Sequence, residues 1–419
     1  MNTVSATPLR KRRAFSLPGE NLRLDGDAHW TERLGQALLI PGLPERIAPD
    51  DRPLLERSLG PHLFHSYAGR THPLLVRQLC ADLVPGQVLL DPFAGSGTVP
   101  IEAVRLGAQA VGLDLSPLAV RLSTAKATPL PASMQQALLS AAEQACRQSI
   151  ERVKKRLSPP RNYDDPTHYA PHVYLELGGL RYAIEQIQRS DAPLAELLLM
   201  VFSAIVVKAS KQRSETDPRT IDRQLAKGQV TRWFLAKAQE FVRLKNAFSS
   251  QVEKPPKPLL FVGDARADLC ASRHRVFSEN TVHRVVTSPP YLGTFDYVWH
   301  HARRYAWLSI DPTPFEQHEM AARRHALPLS KRVSLHEADT WTWLCAVERL
   351  LVPAGLVFVL VGDSVVQETL CDGAQPILRA AESTSLRCLA QASVERPHVV
   401  PNSQLLPARR EHLLLLQKR

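Results

Sequence analysis

LLDPFAGSGTVPIEA, residues 89–103, is the stretch that decides the fold. Val88, Leu89 and Leu90 read as an apolar strand ending in Asp91. A loop with Gly95 and Gly97 follows, and a helix opens at Thr98. Glycine at these places lets the backbone turn sharply and approach a ligand, because no Cβ stands in the way. Beyond that helix, AQAVGLDLS (108–116) reads as a second apolar strand ending in Asp114. A carboxylate at the tip of the second strand of a βαβ unit is placed to accept hydrogen bonds from a ribose diol. The pattern predicts a nucleoside-cofactor site at the C-terminal edge of a parallel sheet.

Two other glycine-rich loops fit poorly. A phosphate loop needs Gly-Lys-Ser/Thr after its last glycine, and none follows here. A dinucleotide loop needs bare backbone amides where Asp91-Pro92-Phe93 puts an acid and a bulky ring. A second motif, VHRVVTSPPYLGTFDY (282–297), carries the chemistry. Its apolar strand delivers Ser288-Pro289-Pro290-Tyr291 to the same sheet edge. An exocyclic amine on a base is a poor nucleophile, because its lone pair is delocalised into the ring. The Ser288 hydroxyl and the Pro289 carbonyl are two acceptors able to hold the amine hydrogens and favour a lone-pair-bearing nitrogen. The two prolines stiffen the loop and remove competing N–H groups. Tyr291 offers a face to a base swung out of its helix. Methyl transfer by in-line displacement then depends mainly on placement and electrostatics.

DPFAGSGT, GLDLSP and TSPPY together resemble the DNA N4-cytosine/N6-adenine amino-methyltransferases, over about 63–125 and 259–419. The resemblance implies an α/β fold: a Rossmann-like methyltransferase sheet, mostly parallel with an antiparallel edge strand. It implies S-adenosyl-L-methionine as cofactor and base flipping before transfer. Ser288, Pro289, Pro290 and Tyr291 would form the catalytic loop. Asp91, Pro92, Phe93, Gly95, Gly97, Thr98 and Asp114 would line the cofactor pocket. Asp264, at the end of LLFVGDARADL (259–269), would face the adenine amino group. Serine at the head of the tetrapeptide leans toward N4-cytosine over N6-adenine. Cytosine-5 chemistry is disfavoured, since Tyr291 stands where those enzymes carry a nucleophilic Cys. The segment 63–87, LFHSYAGRTHPLLVRQLCADLVPGQ, resembles the stretch that precedes the cofactor loop in many of these enzymes and packs near the methionine end. It also reads as a helix from His72-Pro73, with Leu74, Leu75, Leu79 and Leu83 at helical spacing.

The chain departs from the family between the second and third strands. Residues 126–258 read as a helical insertion subdomain: Leu138, Ala142, Ala145, Ser149 and Val153 share a helix face. Pro193–Lys208 is apolar nearly all round, and its run carries Glu196, so a buried helix is expected in place of a membrane span. Phe234, Phe241 and Phe248 repeat every seven residues, the spacing of core packing. Residues 208–245 hold ten Lys/Arg against four Asp/Glu, a candidate phosphate-tracking surface. A second candidate is 292–335, where Trp299, His300, His301, Arg303, Arg304, Tyr305, Arg323, Arg324 and His325 interleave rings and cations.

Residues 1–55 show no sustained period and read as a loosely ordered basic arm, with Arg10, Lys11, Arg12 and Arg13 as its cluster. The catalytic domain is then 56–125 plus 259–419. TWTWLCAVERLLVPAGLVFVLVGDS (340–364) reads as helix, turn and buried strand, PILRAAESTSLRCLA (376–390) as a final helix, and RREHLLLLQKR (409–419) as the antiparallel edge strand. The net charge of +11 suits a polyanionic partner. The six cysteines (Cys80, Cys146, Cys270, Cys345, Cys371, Cys388) form no CxxC pair, which argues against zinc or a disulfide framework and for a reducing cytoplasm. The start lacks an apolar signal core. The expected partner is DNA, with a restriction nuclease as a further candidate, no membrane and no metal. The alternatives are a guanine-N2 methyltransferase of tRNA or rRNA, and a non-catalytic nucleic-acid-binding protein on the same fold.

Overall fold

The computed structural model describes residues 20–40, 50–252, 254–269, 277–324, 326–396 and 409–419. Strand β1 (Glu20–Gly26) leads into α1 (Ala28–Leu38), whose N-cap Asp27 accepts from Trp30 N at 3.2 Å. Helices α2 (Arg52–Leu59) and α3 (Pro73–Leu79) follow; His72 Nδ1 caps α3 by accepting from Leu74 N. The βαβα unit is β2 (Val88–Asp91), α4 (Thr98–Arg105), β3 (Gln109–Asp114) and α5 (Pro117–Ala127). Ser116 starts α5 by accepting from Ala119 N, with Pro117 at the first helical position where no donor is missed.

Next come α6 (Ala132–Lys154), α7 (Pro171–Ser190), α8 (Ala192–Ala209), the hairpin β4 (Gln212–Ser214) and β5 (Asp217–Thr220), and α9 (Gln229–Ser249). The chain returns to the sheet through β6 (Leu259–Val262) and β7 (Val282–Thr287). Short helices α10 (Tyr297–His300), α11 (Ala302–Leu308) and α12 (Thr313–His318) lead to α13 (Leu329–Leu350) and β8 (Leu351–Gly362). A small hairpin, β9 (Ser364–Val366) and β10 (Thr369–Cys371), then α14 (Gln375–Glu382), β11 (Leu386–Arg396) and β12 (Arg409–Lys418) complete the described chain.

The main sheet runs β1-β11-β12-β8-β7-β2-β3-β6. Strands β6, β3, β2, β7 and β8 are mutually parallel, while β12 is antiparallel to both β8 and β11. From β2 the chain crosses to β3 on one side and later returns to β7 on the other. A crevice therefore opens beyond the C-terminal ends of these strands, at the switch point. Successive residues of β2 face opposite layers, as strand geometry requires. Leu89 packs with Val99, Phe358 and Leu413 under α1, α3 and α4, whereas Leu90 packs with Val285, Val357 and Trp343 under α13.

Helices α6–α9 share one core with α5 and α11, built on Leu118, Leu138, Phe202, Phe234, Phe241 and Trp307. Phe248, the third of the heptad phenylalanines, is also buried, under Arg105. Gly179 lets α7 cross close to α6, since a Cβ there would lie 2.6 Å from Ser149 Oγ. Helix α8 is long and apolar enough to cross a membrane by length and composition, but 67% of that window is buried inside the protein.

Three expectations need correction. Residues 20–38, read as part of a loose arm, form β1 and α1; β1 pairs antiparallel with β11 through its backbone. The final strand β12 is not at the sheet edge: it lies between β8 and β11, and β1 forms the edge. The expected final helix stops at Glu382, and the LRCLA stretch (386–390) is strand, fixed by pairing such as Leu386 with Lys418 and Cys388 with Leu416. Arg10, Lys11, Arg12, Arg13, Cys270 and His325 lie outside the described residues.

Candidate active site

The loop after β2 is held from three sides. Asp91 Oδ1 accepts from Phe93 N at 3.1 Å and from Thr287 Oγ1 at 2.7 Å, which ties the end of β2 to the end of β7. Asp114 Oδ2 accepts from Gly95 N at 2.7 Å and its Oδ1 from Ser116 N at 2.8 Å. The buried Lys126 Nζ donates to Ser96 O at 2.6 Å from beneath. Gly95 and Gly97 take φ of +50° and +85°, and Gly97 begins α4. Burial pushes both carboxyls up, Asp91 to about 7 and Asp114 to about 6.

Above the loop lies a cleft of about 760 Å³. It brings together Asp91, Phe93, Gly95, Thr98, Asp114, Ser288 and Pro290 from the two sequence motifs. Pro289 and Tyr291 line an adjoining compartment of about 440 Å³, and Ser288 lines both. Ser288 Oγ is 3.2 Å from the Tyr291 hydroxyl, whose pKa burial raises further. Tyr291 is buried, so the more open aromatic faces of that compartment are Phe295 and Tyr297, with ring centroids 5.3 Å apart. Pro92 and Gly97 are buried in the loop's turn and do not line the cleft. Asp264 does not line it either: both of its carboxylate oxygens accept from Arg266, which also reaches Asp339.

Sequence reasoning missed several wall residues, among them Tyr67, Phe315, Glu319 and Met320. Tyr67 falls in the 63–87 segment already singled out, and the other three sit in or near α12, within the 292–335 segment expected at the substrate and not at the cofactor. The segment 292–335 differs from its expected role. Arg303 pairs with Asp164, Arg304 with Glu215, and Arg324 with Asp296 and Glu319, so these cations are internal braces. Much of the 208–245 charge is likewise engaged within the fold. Arg219 pairs with Asp217 and Arg243 with Glu56, Lys208 sits over the Trp233 ring, and the buried Lys245 donates to the carbonyls of Ala125, Lys126 and Thr128. For Arg303, Arg304, Arg243 and Lys245 a lone stretch of sequence cannot reveal the partners, because these come from distant segments.

Residues 76–152 match a family model described as UPF0020: RMKL-like, methyltransferase domain. That match contains the whole DPFAGSGT loop and Asp114. The chain carries an S-adenosylmethionine-dependent methyltransferase domain. It is similar to the type II methyltransferase M.MjaII of Methanocaldococcus jannaschii, 34% identical over 89 residues, 21% of this chain and 16% of that protein. It is also similar to the type II methyltransferase M.BsoBI of Geobacillus stearothermophilus, 22% identical over 248 residues, 55% of this chain and 48% of that protein. The chain thus spans less than half the length of either relative. Among solved structures, TrmN from Thermus thermophilus aligns over 90% of this chain and 56% of its own, with 15% identity and a TM-score of 0.33. A putative DNA modification methylase, also from Thermus thermophilus, aligns over 37% of this chain and 52% of its own, with 22% identity and a TM-score of 0.19.

The methyltransferase domain's cleft fits its cofactor. Its lining has the mixed character that a charged nucleoside requires: the carboxyls of Asp91 and Asp114 stand beside the apolar side chains of Phe93, Leu115 and Met320. Asp114 would hold the ribose hydroxyls, Leu115, Phe315 and Met320 would enclose the apolar base, and Asp91 would complement the positive methionine end. Asp114→Asn should weaken cofactor binding about 10–100-fold, the scale of a lost charged hydrogen bond. The sign of the pH dependence follows from burial. Between pH about 4 and about 6 the folded protein keeps a proton on Asp114 that the unfolded chain has lost, so this group's contribution to stability falls as pH rises. Cofactor affinity runs the other way, since the ionised carboxylate is the better acceptor, and should rise through pH about 6. Calorimetric titration of S-adenosylhomocysteine across pH checks this; Asp114→Asn should flatten the profile.

Proposed function

We propose that the methyltransferase domain methylates an exocyclic amino group of a base in DNA, N4 of cytosine before N6 of adenine. The observation that carries this reading is Ser288, which lines both the cofactor cleft and the compartment beside it. Methyl donor and acceptor amine would meet at that boundary. S-adenosylmethionine, when bound, supplies an electrophilic methyl group on a sulfonium centre. The remaining work falls to the chain's own residues. The Ser288 hydroxyl and Pro289 carbonyl accept from the amine, Phe295 and Tyr297 flank the flipped ring, and the Tyr291 hydroxyl orients Ser288. Preorganised acceptors of this kind act without reorganisation cost at the moment of transfer. The type II methyltransferase names of M.MjaII and M.BsoBI support the choice of DNA.

One observation favours a second reading, guanine N2 in RNA. Glu411, buried in the same compartment, gives only Oε2 to Arg396, while Oε1 accepts from none of the described residues. Guanine presents a ring N–H beside its amine, which an ionised carboxylate accepts, whereas cytosine and adenine present a bare ring nitrogen there. Incubation with methyl-labelled cofactor and either duplex DNA or total RNA, then digestion to nucleosides and mass identification, separates the readings. N4-methylcytosine in DNA is the expected product. Label as N2-methylguanine in RNA alone rejects the DNA reading, and label in neither favours a non-catalytic binding protein.

A further inference from the structure

The helical insertion beyond residue 152 lies outside the family match, yet its β4–β5 hairpin reaches the site. Glu215, at the hairpin turn, is 4% exposed. His301 Nδ1 lies 2.7 Å from its Oε1, and the buried Arg304 pairs with the same carboxylate. Burial pushes the Glu215 carboxyl up, but Arg304 and His301 together hold it well below the usual range. Arg304 also donates to Ser203 O at 3.2 Å and to Ser66 Oγ at 3.1 Å, next to Tyr67 in the chain. The His301 ring packs 4.6 Å from the Tyr67 ring and 6.5 Å from the Tyr297 ring, centroid to centroid. Tyr67 lines the cofactor cleft, and Tyr297 lines both cleft and base compartment. The next hairpin residue, Thr216, lines an open groove of about 1620 Å³ that shares Gly69, Arg70 and Thr71 with the base compartment.

We propose that the β4–β5 hairpin is a substrate-contacting part of the active site: Thr216 bears on the nucleic-acid strand in the groove, and Glu215 positions Tyr67 and Tyr297 through His301 and Arg304. The proposal rests on the nucleic-acid reading above. A buried ion pair makes an effective brace, since both charges are held only while the hairpin stays seated. Strand contact at Thr216 is thereby coupled to the walls around the reacting groups.

The test uses the full chain, with kcat, nucleic-acid KM and the Kd for S-adenosylhomocysteine measured separately. Glu215→Gln should lower kcat about tenfold or more through misplacement of the two tyrosines, and should raise the cofactor-product Kd by a clearly smaller factor, about threefold. Glu215→Asp keeps the charge and should recover part of that loss. Thr216→Trp should raise the nucleic-acid KM about fivefold and leave the Kd for S-adenosylhomocysteine unchanged. A kcat for Glu215→Gln within about twofold of wild type overturns the proposal. So does an equal loss of kcat and cofactor-product affinity in both Glu215 variants, which would mark a scaffold role only. If the wild-type chain methylates no nucleic acid, the functional reading fails by itself. Anisotropy of a labelled oligonucleotide then decides the inference: weaker binding by Thr216→Trp supports it, and unchanged binding overturns it.

Discussion

Ser288→Ala is expected to lower the rate of methyl transfer about 10²–10³-fold, the scale of one preorganised acceptor, and to leave cofactor affinity within about twofold. The asymmetry follows from where the hydroxyl sits. It lines the boundary between cleft and compartment, and its partner is the Tyr291 hydroxyl at 3.2 Å, a residue of the base side. The loop hydrogen bonds beneath the cofactor cleft run through Asp91 and Asp114, and the mutation touches neither. Tyr291→Phe keeps the ring and removes only the orienting hydroxyl, so its loss should be smaller, about tenfold. Single-turnover transfer beside a titration of S-adenosylhomocysteine measures both quantities. Equal loss of rate and cofactor affinity would contradict the role assigned to Ser288.

Gly97→Ala should destabilise the fold by about 2–5 kcal/mol, the sum of a left-handed backbone cost and overpacking. The residue has φ +85°, and an added Cβ would lie 2.5 Å from Ser123 Oγ and 2.9 Å from Ser123 Cα. The second contact is with backbone, so α4 or α5 must move and Gly95 moves with them. Cofactor affinity should therefore fall with stability. Gly86 is the control: its φ is +86° but nothing lies within 4 Å of its added Cβ. Gly86→Ala should cost only the conformational part, about 1–2 kcal/mol. Urea unfolding of both variants tests the difference, and equal destabilisation would show that the Ser123 contact is harmless.

Legibility in the sequence tracked how local each signal is. The phenylalanines of α9 announce a buried face by spacing within one helix, and two of them enter the helical core while Phe248 packs in the cluster against the sheet. Strand β1 announces nothing, because all seven of its residues are exposed and its pairing with β11 is made by the backbone ladder, with Asn21 Nδ2 donating to Glu395 Oε2 at 2.7 Å. The LRCLA stretch carries helix-compatible residues, and the neighbouring β12 turns it into strand. Arg304 looked like a surface cation because Glu215, its partner, is 89 residues away.

By itself the sequence determined the βαβ unit, the glycine loop, the carboxylates at its strand tips and the proline-stiffened loop, since each rests on contacts between near neighbours in the chain. Only the tertiary structure decided that Ser288 stands between two compartments, that Arg266 bridges Asp264 to the distant Asp339, and that many of the basic residues brace the interior. Those outcomes depend on which distant segments become neighbours, and burial then forces each charge to find a partner there.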